Sequence, residues 1–354
     1  MRDKVHGFMF YTLMEKTKIL NMDRINRLAP SRAGLAKTLT GMAVSAALTQ
    51  TALASEDTPR RPFAEWADVP AEGQLVWGTF YEQSEAYYIW AGSERHGITI
   101  HASNGESYGI DVRQGYFTLD YGLTERWAAD VNFGATTVGW RAFDAGAIGQ
   151  TTGTMDSTFG ARYQLLNETK DKDLWPWVPT LTFRAAGIVP GSYSQNVAFA
   201  PGNHSAGIEP SLLFRKHLGW PGFGVWGDAL YRWEHTITTD QYIAAAGVFQ
   251  QIKGWELDVG YRHLQATSGS DIVLIGPVPA PGQGWNGITY QANVKEISES
   301  IDAGFSYTTV KRHIRWAFHS RKTFDGRNTD SALWLGGSVD IPFDYPFGIG
   351  KKTD

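Results

Sequence analysis

His101, Ser103 and Asn104 stand in the order H-x-S-N-G within "ITIHASNGESYG", residues 98–109. A histidine two residues before a serine on one strand can act as base and nucleophile, taking the hydroxyl proton as the oxygen attacks. The pair does chemistry only if a rigid element holds it. Here the flanks "SERHG" and "NGESYG" are charged and turn-rich, and Asn104-Gly105 is a tight-turn dipeptide. The pattern predicts a small hairpin, "HGITIHA" then Asn-Gly then "ESYGIDV", inside a loop, with its serine facing water. His204, His217, His263 and His319 lack metal-ligand spacing and are expected on the surface or in the interior. No cofactor is implied.

Whole-chain composition narrows the class. The 354 residues include no cysteine, which excludes disulfides and thiolate metal sites. A net charge of -4 gives no sign of a nucleic-acid partner. The 14 Trp, 15 Tyr and 39 Gly are the aromatic and turn-forming residues of a β protein rather than a helical blend. No run of roughly 18 apolar residues follows the N-terminal region, so no spanning helix is expected.

At the start, Arg24, Arg27, Arg32 and Lys37 precede a modest apolar run that closes on Ala52-Leu53-Ala54, then Ser55-Glu56-Asp57. That order is the basic region, apolar region and small-residue cleavage site of a secretory signal. Residues 1–54 are therefore expected to be a signal peptide, with translation starting at Met1 or Met22. Residues 55–73, with Phe63 and Trp66, form a periplasmic segment that either plugs a lumen or leads into the first strand.

From Gly73 onward the dominant period is two. Phe117, Leu119, Tyr121 and Leu123 share one face, with Thr118 and Asp120 on the other. Trp127, Ala129, Val131 and Phe133 alternate with Asp130 and Asn132. Trp255, Leu257, Val259 and Tyr261 alternate with Glu256, Asp258 and Arg262. Such strands have one apolar face. A soluble sandwich would bury that face; a membrane barrel would turn it to lipid. Strand length and end aromatics favour the barrel. Trp127 and Trp140 bracket one strand, and at ~3.3 Å per residue and a tilt of roughly 40° they span about 33 Å.

Strands are predicted at about 74–90, 114–123, 126–140, 153–166, 178–190, 204–218, 222–235, 240–251, 254–266, 288–309, 312–324 and 331–343. Links after even-numbered strands are turn-like, such as "GLTER", "QIKGW" and "TVKRH", with "LNETKDKDLWPW" the longest. Links 91–113, 141–152, 191–203 and 267–287 are long, as on the outer side of an outer-membrane barrel. The expected fold is thus an all-β, transmembrane, antiparallel up-and-down barrel over 74–343, with about twelve strands and both ends periplasmic. The first and tenth segments are long enough to hide a hairpin, which leaves fourteen open. Residues 344–354 would be a periplasmic tail.

With the apolar face on lipid, Asp120, Asp130, Arg162, Arg184, Glu209, Arg215, Asp228, Arg232, Glu256, Asp258, Arg262, Arg315 and Asp340 point into the lumen. Six Arg face seven carboxylates, so neither sign dominates and charged ions are not the obvious cargo. These residues are either an ion-pair ladder or a selectivity track. The loops "SDIVLIGPVPAPGQGW" and "GSYSQNVAFAPGNH" are apolar for segments at a barrel mouth, as a constriction or a landing site for apolar molecules would be.

Several segments resemble a known family, the outer-membrane barrels grouped under the phenol-degradation MetA pathway. They are "GYFTLDYGLTERWAADVNFG", "MDSTFGARYQLL", "PTLTFRAAGIVPGSY", "WGDALYRW", "WELDVGYRHL" and "FDGRNTDSALWLGGSVDIPF". The resemblance covers roughly residues 74–343 and implies passive uptake of small hydrophobic or aromatic solutes, without defined binding residues to carry over. The last strand, ending at Phe343, resembles the C-terminal signal read by the barrel assembly machinery. Outer-membrane lipid and small hydrophobic solutes are the implied partners, and nothing in the sequence specifies a subunit number. "HASNG" is itself similar to the H-x-S pair of outer-membrane phospholipase A, where a third polar residue orients the histidine on a lipid-facing strand. No second phospholipase signature occurs. The expectation is a channel in the cell outer membrane and not an enzyme. The alternatives are a hydrolase using His101 and Ser103, or a structural barrel without transport.

Overall fold

The structure, a computed structural model, describes residues 67–97, 100–101, 107–140, 151–175, 177–192, 204–235, 238–274, 288–289 and 293–344. Twelve long strands alternate direction along the chain. The first six are β1 (Gln74–Ala86), β2 (Ile110–Gly122), β3 (Trp127–Trp140), β4 (Ser157–Leu166), β5 (Thr180–Val189) and β6 (Gly207–His217). They continue as β7 (Phe223–Glu234), β8 (Gln241–Ile252), β9 (Trp255–Ala266), β10 (Ile297–Thr308), β11 (Arg315–Arg327) and β12 (Leu333–Asp344). Each pairs antiparallel with its chain neighbours, and β1 also pairs with β12, Gln74 opposite Asp344 and Gln83 opposite Leu335. The ring is closed, so it has no free edge.

The fourth strand has an extra piece, Thr151–Thr154, which pairs with the upper part of β3 before Met155 and Asp156 interrupt it. The two segments long enough to hide a hairpin both depart from their predicted bounds. The first stops at Ala86, and Tyr88–Ala91 with Glu94–Gly97 forms a separate hairpin. The tenth starts at Ile297, with Val273–Leu274 and Ile288–Thr289 pairing on their own. Neither addition enters the ring, which stays at twelve.

β2 starts four residues before its predicted position because its phase of polarity inverts. Ile110 and Val112 point inward and are buried, while Asp111 and Arg113 pair outside at 2.9 Å. Above the hydrocarbon the outer face meets water, so the alternation that marks a membrane strand reverses there.

Short turns join the strands at one end. Between β8 and β9 the turn is Lys253-Gly254, with φ of 49° and 89°. This two-residue geometry fits strand twist, and glycine adopts it without a Cβ clash. At the opposite end loops are longer and tied together. Asn328 accepts hydrogen bonds from Gly92 N (2.7 Å) and Ile272 N (3.0 Å) and donates to Asp271 Oδ1 (2.8 Å), linking three loops. By length, the short turns mark the periplasmic side and the loops the outer side.

The outer wall is apolar. Trp77, Trp127, Trp255 and Trp316 sit exposed near the periplasmic ends, and Trp233, Tyr242 and Tyr261 near the outer ends. Two such aromatic belts flanking a band that includes Leu257, Val259, Phe305 and Leu212 are the signature of a lipid-facing surface. No helix among the described residues is long and apolar enough to cross a membrane; the strands do the crossing.

Candidate functional site: the charged interior

Inward positions are occupied throughout. All six inward residues of β7, from Gly224 to Glu234, and all seven of β2, from Ile110 to Gly122, are buried. Glycines on the inner wall make room for larger neighbours. A Cβ on Gly247 would meet the Trp226 indole at 2.6 Å, and that side chain is 2% exposed. Beside it Phe249 lies over Gly224. On the facing wall Phe80 stacks on His319 at 4.6 Å and meets Tyr116 edge-on at 5.8 Å.

Of the thirteen charged residues predicted to face inward, twelve are buried on the inner wall: Asp120, Asp130, Arg162, Arg184, Glu209, Asp228, Arg232, Glu256, Asp258, Arg262, Arg315 and Asp340. Ten of them fall into three groups of ion pairs. Along β2 to β7, Arg162 pairs with Asp120 and lies 3.7 Å from Asp130. Arg184 bridges Asp130 (2.6 Å) and Glu209 (3.0 Å), and Arg232 holds the other Glu209 oxygen at 2.8 Å. Along β9 to β12, Arg315 reaches Glu256 (4.0 Å) and Asp340 (3.4 Å), and Arg262 pairs with Asp302 at 3.1 Å. Asp258 lies against Gly304, and Asp228 sits two residues above Trp226 on β7. Such alternation of sign satisfies buried charges that would otherwise be strongly disfavoured.

Arg215 differs from the rest. It is half-buried at the periplasmic end of β6, pairing with Asp68 and lying 3.5 Å from Glu168. Around it the chain before β1 meets the opposite wall. Arg162 donates to Asp68 O at 3.0 Å, Gln164 to Ala67 O at 3.2 Å, and Thr182 also donates to Ala67 O. Ala67 is fully buried against Leu213.

Glu82, Asp302 and Arg321 are inward residues that the sequence did not single out, and His319, expected on the surface or in the interior, also faces inward. Arg321 pairs with Asp302 at 2.7 Å, and His319 approaches Glu82 at 3.3 Å. Asp302 was legible, since it shares a face with Ser298 and Ser300. Glu82 was not, because β1 carries aromatics on both faces, Phe80 inside and Tyr81 outside.

The extracellular half of the inner wall carries two apolar clusters among buried polar groups such as Glu209, Arg232, Glu234 and Gln241. Ile110, Val112, Val138 and Trp334 form one buried cluster with Ile89 of the loop hairpin, and Leu230, Ile243 and Leu264 form another. On the periplasmic rim, Arg126 grips Asp171 through both guanidinium nitrogens, at 2.6 and 3.1 Å, and this hydrogen bonding holds the Asp171 carboxyl below its ordinary value.

His101 lies in a two-residue pairing, Ile100–His101 with Ser107–Tyr108, outside the ring, as the hairpin reading requires. Ser103 and Asn104 lie outside the described residues, as do most of the two apolar loops, the predicted signal peptide and the tail from 345. Among the described residues no group of three His, Asp or Glu could hold a metal ion.

A closed antiparallel ring with a lipid-facing outside and a charged inside is a transmembrane β-barrel of the outer-membrane type. Comparison with solved structures places it beside the COG4313 outer membrane channel from Pseudomonas putida F1. The two share 16% identity with a TM-score of 0.59, over 80% of this chain and 100% of that one. The toluene transporter TodX of P. putida aligns over 79% of this chain and 92% of its own, at 10% identity and a TM-score of 0.38. The first likeness shows a common fold; the second is too low to carry an argument. No family model matches the chain, and no curated protein matches it.

Proposed function

We propose that this protein is an outer-membrane channel for passive uptake of small hydrophobic or aromatic molecules. The observation that carries this reading is a pair of apolar clusters on the extracellular half of the inner wall. Ile110, Val112, Val138 and Trp334 form one and Leu230, Ile243 and Leu264 the other, set among buried polar groups such as Arg232, Glu234 and Gln241. An apolar entrance lowers the cost of taking an apolar solute from water. The thirteen predicted charges then act as a paired, overall compensated lining, and passage requires side chains in the middle layer to yield. The P. putida F1 structure is described as an outer membrane channel, and the resemblance to the MetA-pathway group implies small hydrophobic or aromatic solutes.

Within this reading residues 1–54 are a signal peptide and 55–73 a plug; the contacts of Ala67 and Asp68 with β4, β5 and β6 favour a plug over a simple lead-in. Phe343, exposed where β12 ends opposite Leu75, is the candidate signal for the assembly machinery. The test is uptake of a radiolabelled monoaromatic by liposomes containing refolded protein, with phospholipid hydrolysis assayed in parallel. Uptake above empty liposomes without hydrolysis is expected. No uptake would sink the channel, and hydrolysis abolished by Ser103→Ala would establish the hydrolase instead.

A further inference from the structure

The outer wall is not evenly covered with side chains. Register aligns outward residues of β1, β12, β11 and β10 in two rows. The lower row runs Thr79, Val339, Trp316, Tyr307 and on to Trp255 of β9. The upper row runs Tyr81, Gly337, Phe318 and Phe305. Gly337 alone in the upper row has no side chain, and between the aromatic rims lies a groove of about 540 Å³. A Cβ on Gly337 would meet only Ala317 O, at 3.4 Å, so the space beyond it is open.

Position and chemistry define what fits. The Trp255–Tyr307 ring pair, 4.8 Å apart, lies beside the short turns, at the level where such aromatics meet lipid headgroups on the periplasmic side. From there the groove runs toward mid-wall. Apart from Thr79, Ser338 and the tyrosine hydroxyls its lining is apolar. It is continuous with the lipid-facing belt, so hydrocarbon is what meets it. Lying in the periplasmic half, it faces the phospholipid leaflet and not the lipopolysaccharide leaflet.

We propose that this groove seats one acyl chain of a periplasmic-leaflet phospholipid, its headgroup at the Trp255–Tyr307–Trp316 level. The seat straddles the β1–β12 pairing that closes the ring, so the bound chain covers the seam between the first and last strands. The site is independent of what the barrel transports.

Gly337→Leu fills the groove without touching the inner wall. Gly227→Leu is the control, an outward glycine of β7 whose Cβ would likewise meet only a backbone oxygen, Ala245 O at 3.4 Å. Each full-length protein is reconstituted in phosphatidylethanolamine–phosphatidylglycerol vesicles, extracted in mild detergent and analysed by native mass spectrometry. A heat-dependent gel shift verifies that each barrel is folded. Wild type and Gly227→Leu should retain one phospholipid, and Gly337→Leu should lose it. Equal retention by folded Gly337→Leu, or no retained phospholipid on wild type, overturns the proposal. Should Gly337→Leu not fold, Gly337→Ser is measured instead, with retention reduced at least severalfold as the expected result and unchanged retention as the refuting one.

Discussion

Arg184 shows how individual residues hold the interior together. It is 4% exposed and, from its own position on β5, bridges Glu209 on the adjacent β6 and Asp130 on β3, one strand beyond β4. Truncating it leaves two buried acids that share fewer cations. Removing one partner of a buried ion pair typically costs about 3–5 kcal/mol, because the remaining charge is left without its counterion. Arg184→Met should therefore lower stability by about that amount in equilibrium urea unfolding of vesicle-embedded protein. A double variant that also carries Asp130→Asn should recover part of the loss, since Arg162 keeps Asp120 and Arg232 keeps Glu209. A change within experimental scatter for Arg184→Met would show that the network is not cohesive.

At the scale of the strand, the outward face decides the solvent. β9 exposes Val259 near its middle, 53% accessible and flanked by Leu257 and Tyr261. In hydrocarbon, a cation there must lose its hydration; the expected cost is about 2–4 kcal/mol at the bilayer midplane and about 0–1 kcal/mol near an interface. Val259→Arg should thus destabilise the vesicle-embedded barrel by about 2–4 kcal/mol. Val189→Arg, on an exposed position at the outer end of β5, should have little effect. Equal effects at both depths would argue against a lipid-facing wall. Strand positions were legible in the sequence where apolar and polar residues alternate in one phase, as in β3 and β9. They were blurred in β1, where both faces carry aromatics, and at the top of β2, where Ile110 and Val112 turn inward.

For the whole molecule, what matters is how full the ring is. Twelve strands enclose a space that ion pairs and aromatic side chains occupy across its middle, with Trp226 the largest fully buried side chain among the described residues. It fits only because Gly247 and Gly260 on the two following strands leave it room. Wild-type protein should accordingly conduct poorly in planar bilayers. Trp226→Ala should raise single-channel conductance severalfold, since the space it vacates lies within the barrel. Unchanged conductance would mean that the path avoids this layer.

The membrane strands and their approximate number were legible in the chain alone. A period of two is a local property, and an apolar face with end aromatics admits few environments. The folded ring alone settled that both possible extra hairpins stay outside it, because β1 pairs directly with β2, β9 with β10, and β1 with the distant β12. It also decided which charge meets which, and that Arg215 holds Asp68 of the preceding segment. The same holds for His101: its spacing to Ser103 is written in the chain, but its place outside the ring follows from the register of strands on either side.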